Sequence, residues 1–362
     1  MSKIVLLTGA TGFLGGYLCA ELLAQTDATV HCLVRGRTDE GARRRLAAYL
    51  AHRGIPRADL ARVATVRADL RAPRLGLDDA THERLARTAG AIYHCGATVN
   101  LAADYERLAS CNVEGTRAVT ELAARAEVTL HHISSAGVFI DAPHVGHPEV
   151  DEDTVLEPGM PGEVGYTRTK FDGEEIVRAS GVPAVIYRPA FITGDHATGE
   201  SSASDLITRA IRASAVLGVA PDCATAMPTA PVDYVARGIV ALSTRPAAVG
   251  RTFHLTQPEH LSMAEIFARL RARGYAPGSQ PVTDWHATLQ DRVAETSAFT
   301  MLALWRMGRY LLAETPRDQV PVVRSERTRA ELSRLGVTCP VADTAYLDRI
   351  MGYLAASGLL AR

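Results

Sequence analysis

The chain has 362 residues, with 39 Lys and Arg against 40 Asp and Glu and a formal net charge of −1 at pH 7. That balance supplies no whole-protein field for nucleic acid or an anionic membrane, and no apolar stretch reaches the roughly eighteen residues a bilayer span requires. Six cysteines (Cys19, Cys32, Cys95, Cys111, Cys223 and Cys339) are scattered without Cys-x-x-Cys spacing; they read as buried thiols of a reducing compartment, so a cytoplasmic protein with no nucleic-acid or membrane partner is expected.

Residues 3–7, Lys-Ile-Val-Leu-Leu, predict a short buried parallel strand that stops at a glycine-rich turn. The N-terminus runs straight into this strand, and no signal peptide is expected. The turn is TGATGFLG, and Phe13-Leu14, Tyr17-Leu18 and Leu22-Leu23 then recur at helical spacing. Strand, glycine turn and helix form the context in which such glycines bind a dinucleotide. Gly9 permits the turn, Gly12 lets backbone approach a pyrophosphate, and Gly15 lets the helix pack on the strand, with free N–H groups at the helix start facing the phosphates. Thr8, Thr11, Phe13 and Leu14 complete the expected contact set.

A second strand, Thr29 to Val34, ends in Arg35, twenty residues after Gly15. An NAD site usually carries Asp or Glu there for the ribose hydroxyls. Arg35, backed by Arg37 and Arg45, instead suits the 2′-phosphate of NADPH through charge-assisted bonds. Val63 to Ala68 is the third strand, closed by Asp69-Leu70, expected to face the adenine. Ala91 to Cys95 is the fourth and runs into Gly96-Ala97-Thr98 beside the cofactor. One helix through Tyr105 to Ala126 carries Asn112-Val-Glu-Gly-Thr116. Val128 to Ser134 and Val182 to Arg188 are strands five and six.

This alternation argues for an α/β fold, a doubly wound parallel sheet with right-handed crossovers. After Pro189 helical segments dominate, at 202–217, 262–273, 285–314 and 343–357, interrupted by Pro228 to Val235 and a strand from Thr252 to Thr256. The expected division is therefore 1–193 plus 228–258 as the nucleotide unit, and 194–227 plus 259–362 as a smaller, mainly helical substrate unit.

Only two lysines occur, Lys3 and Lys170, all other cations of the Lys/Arg type being arginine. Lys170 closes Tyr166-Thr-Arg-Thr-Lys170, and the i, i+4 spacing puts phenol and ammonium on one helix face. An ammonium is a compact charge, unlike the planar guanidinium fork, and can stabilise a tyrosinate and bind a ribose. Strand five ends in Ser134-Ser135, at the carboxyl edge where such sheets hold ligands. Hydroxyl, tyrosine and lysine together suit hydride transfer to or from a carbonyl. The hydroxyls bind the developing oxyanion, Tyr166 is the general acid, and Lys170 lowers its pKa and orients the ribose.

These motifs resemble the extended short-chain dehydrogenase/reductases, and within them the thioester reductase domains that end many nonribosomal peptide synthetases and carboxylic acid reductases. The resemblance spans the chain: TGATGFLGGYL, CLVRG, RADLRAPRLGL, HCGATVN, CNVEGT, GYTRTK, YRPAFITGD at 187–195, PVDYVA, FHLTQPEHLS and the closing LGVTCP at 335–340. It implies a Rossmann nucleotide domain and NADPH-dependent reduction of an acyl or peptidyl thioester on a phosphopantetheinyl carrier protein to an aldehyde, and in some members to the alcohol. It assigns Ser135 rather than Ser134 the catalytic hydroxyl, from its place three residues before Val138. It adds Ala97, Asn112, Lys170, Pro189 and Ile192 to the cofactor contacts. Two departures stand out: Ser135 where thioester reductases often carry Thr, and Ala190 where a glycine is expected. Because Met1 abuts the first strand, a free-standing domain meeting its carrier in trans is expected.

The alternatives are an acyl-CoA or aldehyde reductase, a nucleotide-sugar epimerase or dehydratase of the same superfamily, and a non-catalytic NADP-binding regulator. Dehydration needs a carboxyl beside the catalytic hydroxyl, whereas Ala136-Gly137 follow here, and a regulator would be expected to lack the Tyr–Lys pair. No metal site is expected: His144, His147 and Asp151 to Asp153 read as a solvated loop. His131 and His132, adjacent on a strand, point to opposite faces. Arg317, Arg324, Arg327, Arg329 and Arg334 read as a solvated face or as a dock for an acidic carrier. Trp285, Met301, Trp305 and Met307 read either as acyl-pocket lining or as helix packing.

Overall fold

The computed structural model describes residues 4–51, 53–140, 149–156, 164–223, 226–259, 261–292 and 321–360. Its centre is a seven-stranded sheet built from β1 (Ile4–Thr8), β2 (Thr29–Val34), β3 (Val63–Arg67), β4 (Ala89–His94), β5 (Leu130–Ile133), β6 (Ala184–Pro189) and a later strand, Thr252–Leu255. Two short strands, β7 (Phe191–Thr193) and β8 (Thr229–Pro231), pair beside it, so the last sheet strand is β9. The sheet order is β9-β6-β5-β4-β1-β2-β3, and every pairing in it is parallel. The order reverses between β1 and β4, which opens the crevice where doubly wound sheets hold ligands.

Helices α1 (Phe13–Gln25), α2 (Asp39–Leu50), α3 (Asp79–Thr88), α4 (Tyr105–Asn112), α5 (Glu114–Ala126), α6 (Gly165–Ala179), α7 (Leu206–Leu217) and α8 (Val232–Ser243) alternate with the strands. They are followed by α9 (Met263–Ala272), α10 (Val282–Asp291), α11 (Glu326–Arg334) and α12 (Thr344–Ala356). The period-two alternation of β1 divides the core: Val5 and Leu7 join Leu18 and Leu22 of α1 and Val235 and Ile239 of α8, whereas Leu6 joins Leu85, Val119 and Val177 on the other face. A third cluster packs α7, α9, α10 and α12 around Ile211, Phe267, Trp285 and Met351.

Two features differ from expectation. The single helix expected through 105–126 breaks at Val113, and the chain re-enters helix at Glu114. Directly after the break Gly115 packs on Leu70, whose backbone oxygen would lie 2.9 Å from an added Cβ. The stretch 321–340, expected with the substrate unit, packs on the nucleotide side instead. Leu332 of α11 and Val337 join the β1–α1 core, and Val322–Val323 pairs with Glu149–Val150. Gly238 of α8 makes room for Leu332, with an added Cβ only 3.2 Å from its Cδ1. An amphipathic helix records that it has a buried face, not which body that face meets. Of the helix expected over 285–314, α10 covers Val282–Asp291, and residues 293–314, with Met301, Trp305 and Met307, lie outside the described residues.

Trp285 is fully buried in the α7–α12 cluster, and its Nε1 donates to the Val219 carbonyl at 3.0 Å, which makes it packing core. His144, His147 and Arg317 lie outside the described residues. The neighbouring acids tie segments together: Glu152 Oε1 accepts from Thr328 Oγ1 at 2.6 Å, and Asp153 pairs with Arg327. Arg324 pairs with Glu149 and Glu326, and Arg329 with Glu326, so part of this arginine run is paired within the chain. His131 and His132 face opposite sides, His131 stacked on Tyr93 and His132 against His94. Among the described residues no helix is long and apolar enough to cross a membrane, and no His, Cys, Asp and Glu group could hold a metal ion.

Candidate active site

The loop after β1 is a cradle of glycines. Gly9 has φ of +78°, a left-handed conformation that strongly favours glycine, and its N-terminal position in the turn lets Gly12 N donate to Gly9 O at 2.8 Å. A Cβ on Gly15 would lie 2.0 Å from Gly9 O. Gly12 caps α1 without a side-chain bond and no acidic residue occupies the first turn, so the helix start keeps its N–H groups and partial positive charge for a ligand. These features fit a pyrophosphate. Gly15→Ala is therefore expected to abolish nucleotide binding and to lower stability by about 1–3 kcal/mol through backbone overpacking. Nucleotide fluorescence titration and urea denaturation measure the two effects; unchanged affinity would remove the turn from the site.

The cradle opens into a cavity of about 640 Å³. Gly9, Thr11, Gly12, Phe13, Leu14, Gly15, Arg35, Arg45, Asp69, Leu70, Ala97, Pro189 and Ile192 all line it, as do Ser135, Tyr166 and Lys170. Arg45 Nη1 donates to the Arg35 carbonyl at 3.3 Å, which brings the two guanidinium-bearing segments together at the β2 edge. Arg37 is exposed and does not line the cavity. Asp69 Oδ1 accepts from Arg71 N at 3.0 Å and shapes the loop after β3.

Two expected cofactor contacts sit behind the wall. Thr8 Oγ1 bonds His94 Nδ1 at 2.8 Å and accepts from Gly96 N at 2.9 Å, joining the ends of β1 and β4. Asn112 Oδ1 accepts from Thr98 N at 2.7 Å, and its Nδ2 donates to Thr98 O at 3.1 Å and to Thr169 Oγ1 at 3.0 Å. Asn112 thus ties the loop after β4 to α6, the helix that carries Tyr166 and Lys170. Both residues support the site rather than line it, because their polar atoms are engaged by the backbone turns they hold.

Helix α6 lays Tyr166 and Lys170 one turn apart beside the end of β5. Lys170 is buried and its Nζ donates to the Ile133 carbonyl at 2.9 Å. Burial pushes its pKa below the ordinary lysine value, while Cys95, Cys111 and Glu174 pull it back up. Burial also raises the Tyr166 phenol, and the neighbouring Cys95 thiol adds to the rise. The expected depression of Tyr166 by Lys170 is therefore not the direction found: desolvation prevails, and the ammonium is directed at a carbonyl. A phenol raised in this way holds its proton at neutral pH, as an acid must. Ser135 is half-buried, and its Oγ accepts from Gly137 N at 3.0 Å, which aims the hydroxyl along the cavity wall.

Under this helix lies a buried ion pair. Arg188 and Glu174 are 1 % and 0 % exposed, with Nε–Oε1 at 2.8 Å and Nη2–Oε2 at 2.7 Å. Burial pushes the Glu174 carboxyl up, but the Arg188 charge and its hydrogen bonds outweigh that and leave it below the usual range. Sequence reasoning missed this pair, and also Cys95, Val164, Phe191, Ser202 and Arg209 on the cavity wall. The Arg188 position stood inside YRPAFITGD, but its partner is fourteen residues away on another element.

Comparison with known proteins places the chain in a family. The NAD-binding family model described as Male sterility protein matches residues 7–239. The isonitrile lipopeptide synthase of Streptomyces coeruleorubidus is 36 % identical over 98 % of this chain and 25 % of its own length. A linear gramicidin synthase polypeptide of Brevibacillus parabrevis is 32 % identical over 99 % of this chain and 7 % of its own length. This chain thus spans a quarter or less of these two curated relatives. The crystal structure of the terminal R domain from the myxalamid PKS-NRPS biosynthetic pathway superposes with a TM-score of 0.88, at 33 % identity, covering 99 % of this chain and 92 % of that one.

Proposed function

The chain belongs to the terminal reductase domains of nonribosomal peptide synthetases, NAD(P)-dependent oxidoreductases of the extended short-chain dehydrogenase/reductase superfamily, and from that premise we propose NADPH-dependent reduction of a carrier-bound acyl or peptidyl thioester to an aldehyde. The observation that supports this most is that Ser135, Tyr166 and Lys170 border the same cavity as the glycine cradle, so a carbonyl and a nucleotide can meet there. We take the α7–α12 cluster as the substrate-facing unit, since Phe191, Leu206, Ile207 and Arg209 close the cavity from its side.

The Gly9–Gly15 turn would hold NADPH, with Arg35 and Arg45 available for its 2′-phosphate, and the cofactor would supply hydride for the carbonyl carbon. Tyr166 donates its phenolic proton to the carbonyl oxygen as negative charge develops, and Ser135 provides a second hydrogen bond to it. Lys170 holds the helix face against Ile133, one helical turn from the phenolate that remains. The resulting thiohemiacetal collapses with expulsion of the pantetheine thiol, its hydroxyl proton passing to sulfur, which leaves the aldehyde. Ala136 and Gly137, following Ser135, supply no carboxylate for the acid–base pair of a sugar-nucleotide dehydratase.

The direct test is NADPH oxidation with a medium-chain acyl-pantetheine thioester and then with a separately produced acyl-carrier protein, with products identified by mass spectrometry. Aldehyde or alcohol from either substrate supports the reading, and turnover of the second establishes delivery in trans. Turnover of free aldehyde but of no thioester would replace it with a carbonyl reductase. Cofactor choice has its own test. Arg35→Asp removes a charge-assisted contact and is expected to weaken NADPH by about 10- to 100-fold with a much smaller effect on NADH. Equal losses for the two would overturn the 2′-phosphate assignment.

A further inference from the structure

Arg209, on the first turns of α7, lines the cavity on the β6 side, across the sheet from Arg35. It is half-buried beside Phe191, Leu206 and Ile207, and among the described residues it has no ion-pair partner. Among the described residues several other covered arginines are satisfied within the fold: Arg212 donates to the Leu359 carbonyl at 3.1 Å and Arg349 to the His196 carbonyl at 2.7 Å. Arg53 pairs with Glu200 at 2.6 Å, Arg62 with Asp59 at 2.8 Å and Arg188 with Glu174 at 2.7 Å. The nearest acid in sequence, Asp205, is committed to the helix cap, where its Oδ1 accepts from Thr208 N at 2.8 Å. Burial accordingly pushes the Arg209 guanidinium below its ordinary value, Asp205 only partly offsetting this and Arg212 adding to it. Two hydroxyls border the same wall: Ser202 and Ser204, bonded to each other at 2.9 Å.

Taking a guanidinium partly out of water is unfavourable; Asp205, which lines the same cavity, offsets this for Arg209 only in part, and a ligand that brings an anion to the cavity offsets the rest. Arg is also the side chain whose fork matches carboxylate and phosphate oxygens. We propose that Arg209, with the Ser202 and Ser204 hydroxyls, forms a subsite for an anionic oxygen group on the thioester substrate. The group is either the phosphate of its pantetheine handle or a carboxylate of its acyl chain. This rests on the thioester reading of the cavity and adds a charge requirement to it.

The test is calorimetric, on the NADP⁺-loaded protein, so that no turnover is needed. One pair of probes is 4′-phosphopantetheine against pantetheine; the other is glutaryl-pantetheine against butyryl-pantetheine. In the wild-type protein the anionic member of one pair is expected to bind about tenfold tighter or more than its neutral counterpart. Arg209→Met should erase that preference, and Arg209→Lys, which keeps the charge, should restore part of it. NADP⁺ affinity, unchanged in both variants, reports that they fold. A preference in the first pair identifies the handle phosphate as the source, and in the second the acyl carboxylate. No preference in either pair, or one that survives Arg209→Met, overturns the subsite. Failure of the wild-type protein to reduce the anionic and neutral acyl-pantetheines and a separately produced acyl-carrier protein alike would instead count against the thioester reading, independently of the binding result.

Discussion

Replacing Tyr166 by Phe is expected to lower kcat/KM for thioester reduction by about 10²- to 10⁴-fold while leaving NADPH binding in place. The ring stays and packs as before; only the hydroxyl that we propose as the donor to the carbonyl oxygen is lost. Its direction of titration matters here. Burial raises the phenol, so the acid is fully protonated at neutral pH, and the rate of the reductive step should not fall with rising pH until well into the alkaline range. Stopped-flow single turnover with NADPH and acyl-pantetheine separates the chemical step from product release. A Tyr166→Phe protein that retained more than about a tenth of the wild-type single-turnover rate would lose Tyr166 its place as the acid.

The second large effect is on stability. Glu174→Gln should reduce the free energy of unfolding by about 3–5 kcal/mol, because it leaves the buried Arg188 guanidinium without a counter-charge. Replacing both members, Glu174→Leu with Arg188→Met, should recover much of that loss, since a buried pair is often matched by apolar residues of similar size. The sign with pH follows from the lowered carboxyl. A group whose folded pKa is depressed contributes stability above its unfolded value, near 4.5 for this residue, and loses it as pH falls through the lower folded value. The gap between wild type and Glu174→Gln should therefore be widest at neutral pH and begin to narrow once pH falls below 4.5, closing as pH passes the lower folded value. Urea denaturation at both ends measures it. A single-variant loss under about 1 kcal/mol at pH 7 would mean that the pair is not the support for α6 that its burial suggests.

The local parts of the site were legible because local spacing determines them. A glycine turn between strand and helix needs only its own backbone conformation, and Gly9 adopts the positive φ that this requires. Tyr166 and Lys170 share a face because helical geometry places i and i+4 together, whatever the helix packs against. Arg35 is at the cavity because it ends β2, and the sheet brings that end beside the turn. By contrast, nothing in the run 105–126 marks the break at Val113, which accompanies the close approach of Gly115 to Leu70 forty-five positions earlier in the chain.

What the sequence determined by itself, then, was the doubly wound order of elements, the nucleotide cradle and the phenol–ammonium pair. Each follows from periodicity, glycine spacing or residue chemistry acting over a few positions. The tertiary structure alone decided which way Tyr166 and Lys170 titrate, since desolvation depends on everything packed around them. It also put Asn112 behind the wall as a clamp between Thr98 and Thr169 and returned α11 to the nucleotide core. The same packing left Arg209 facing the cavity with no ion-pair partner among the described residues. These outcomes depend on contacts between residues distant in the chain, where burial and pairing are set by the packed whole rather than by any local pattern.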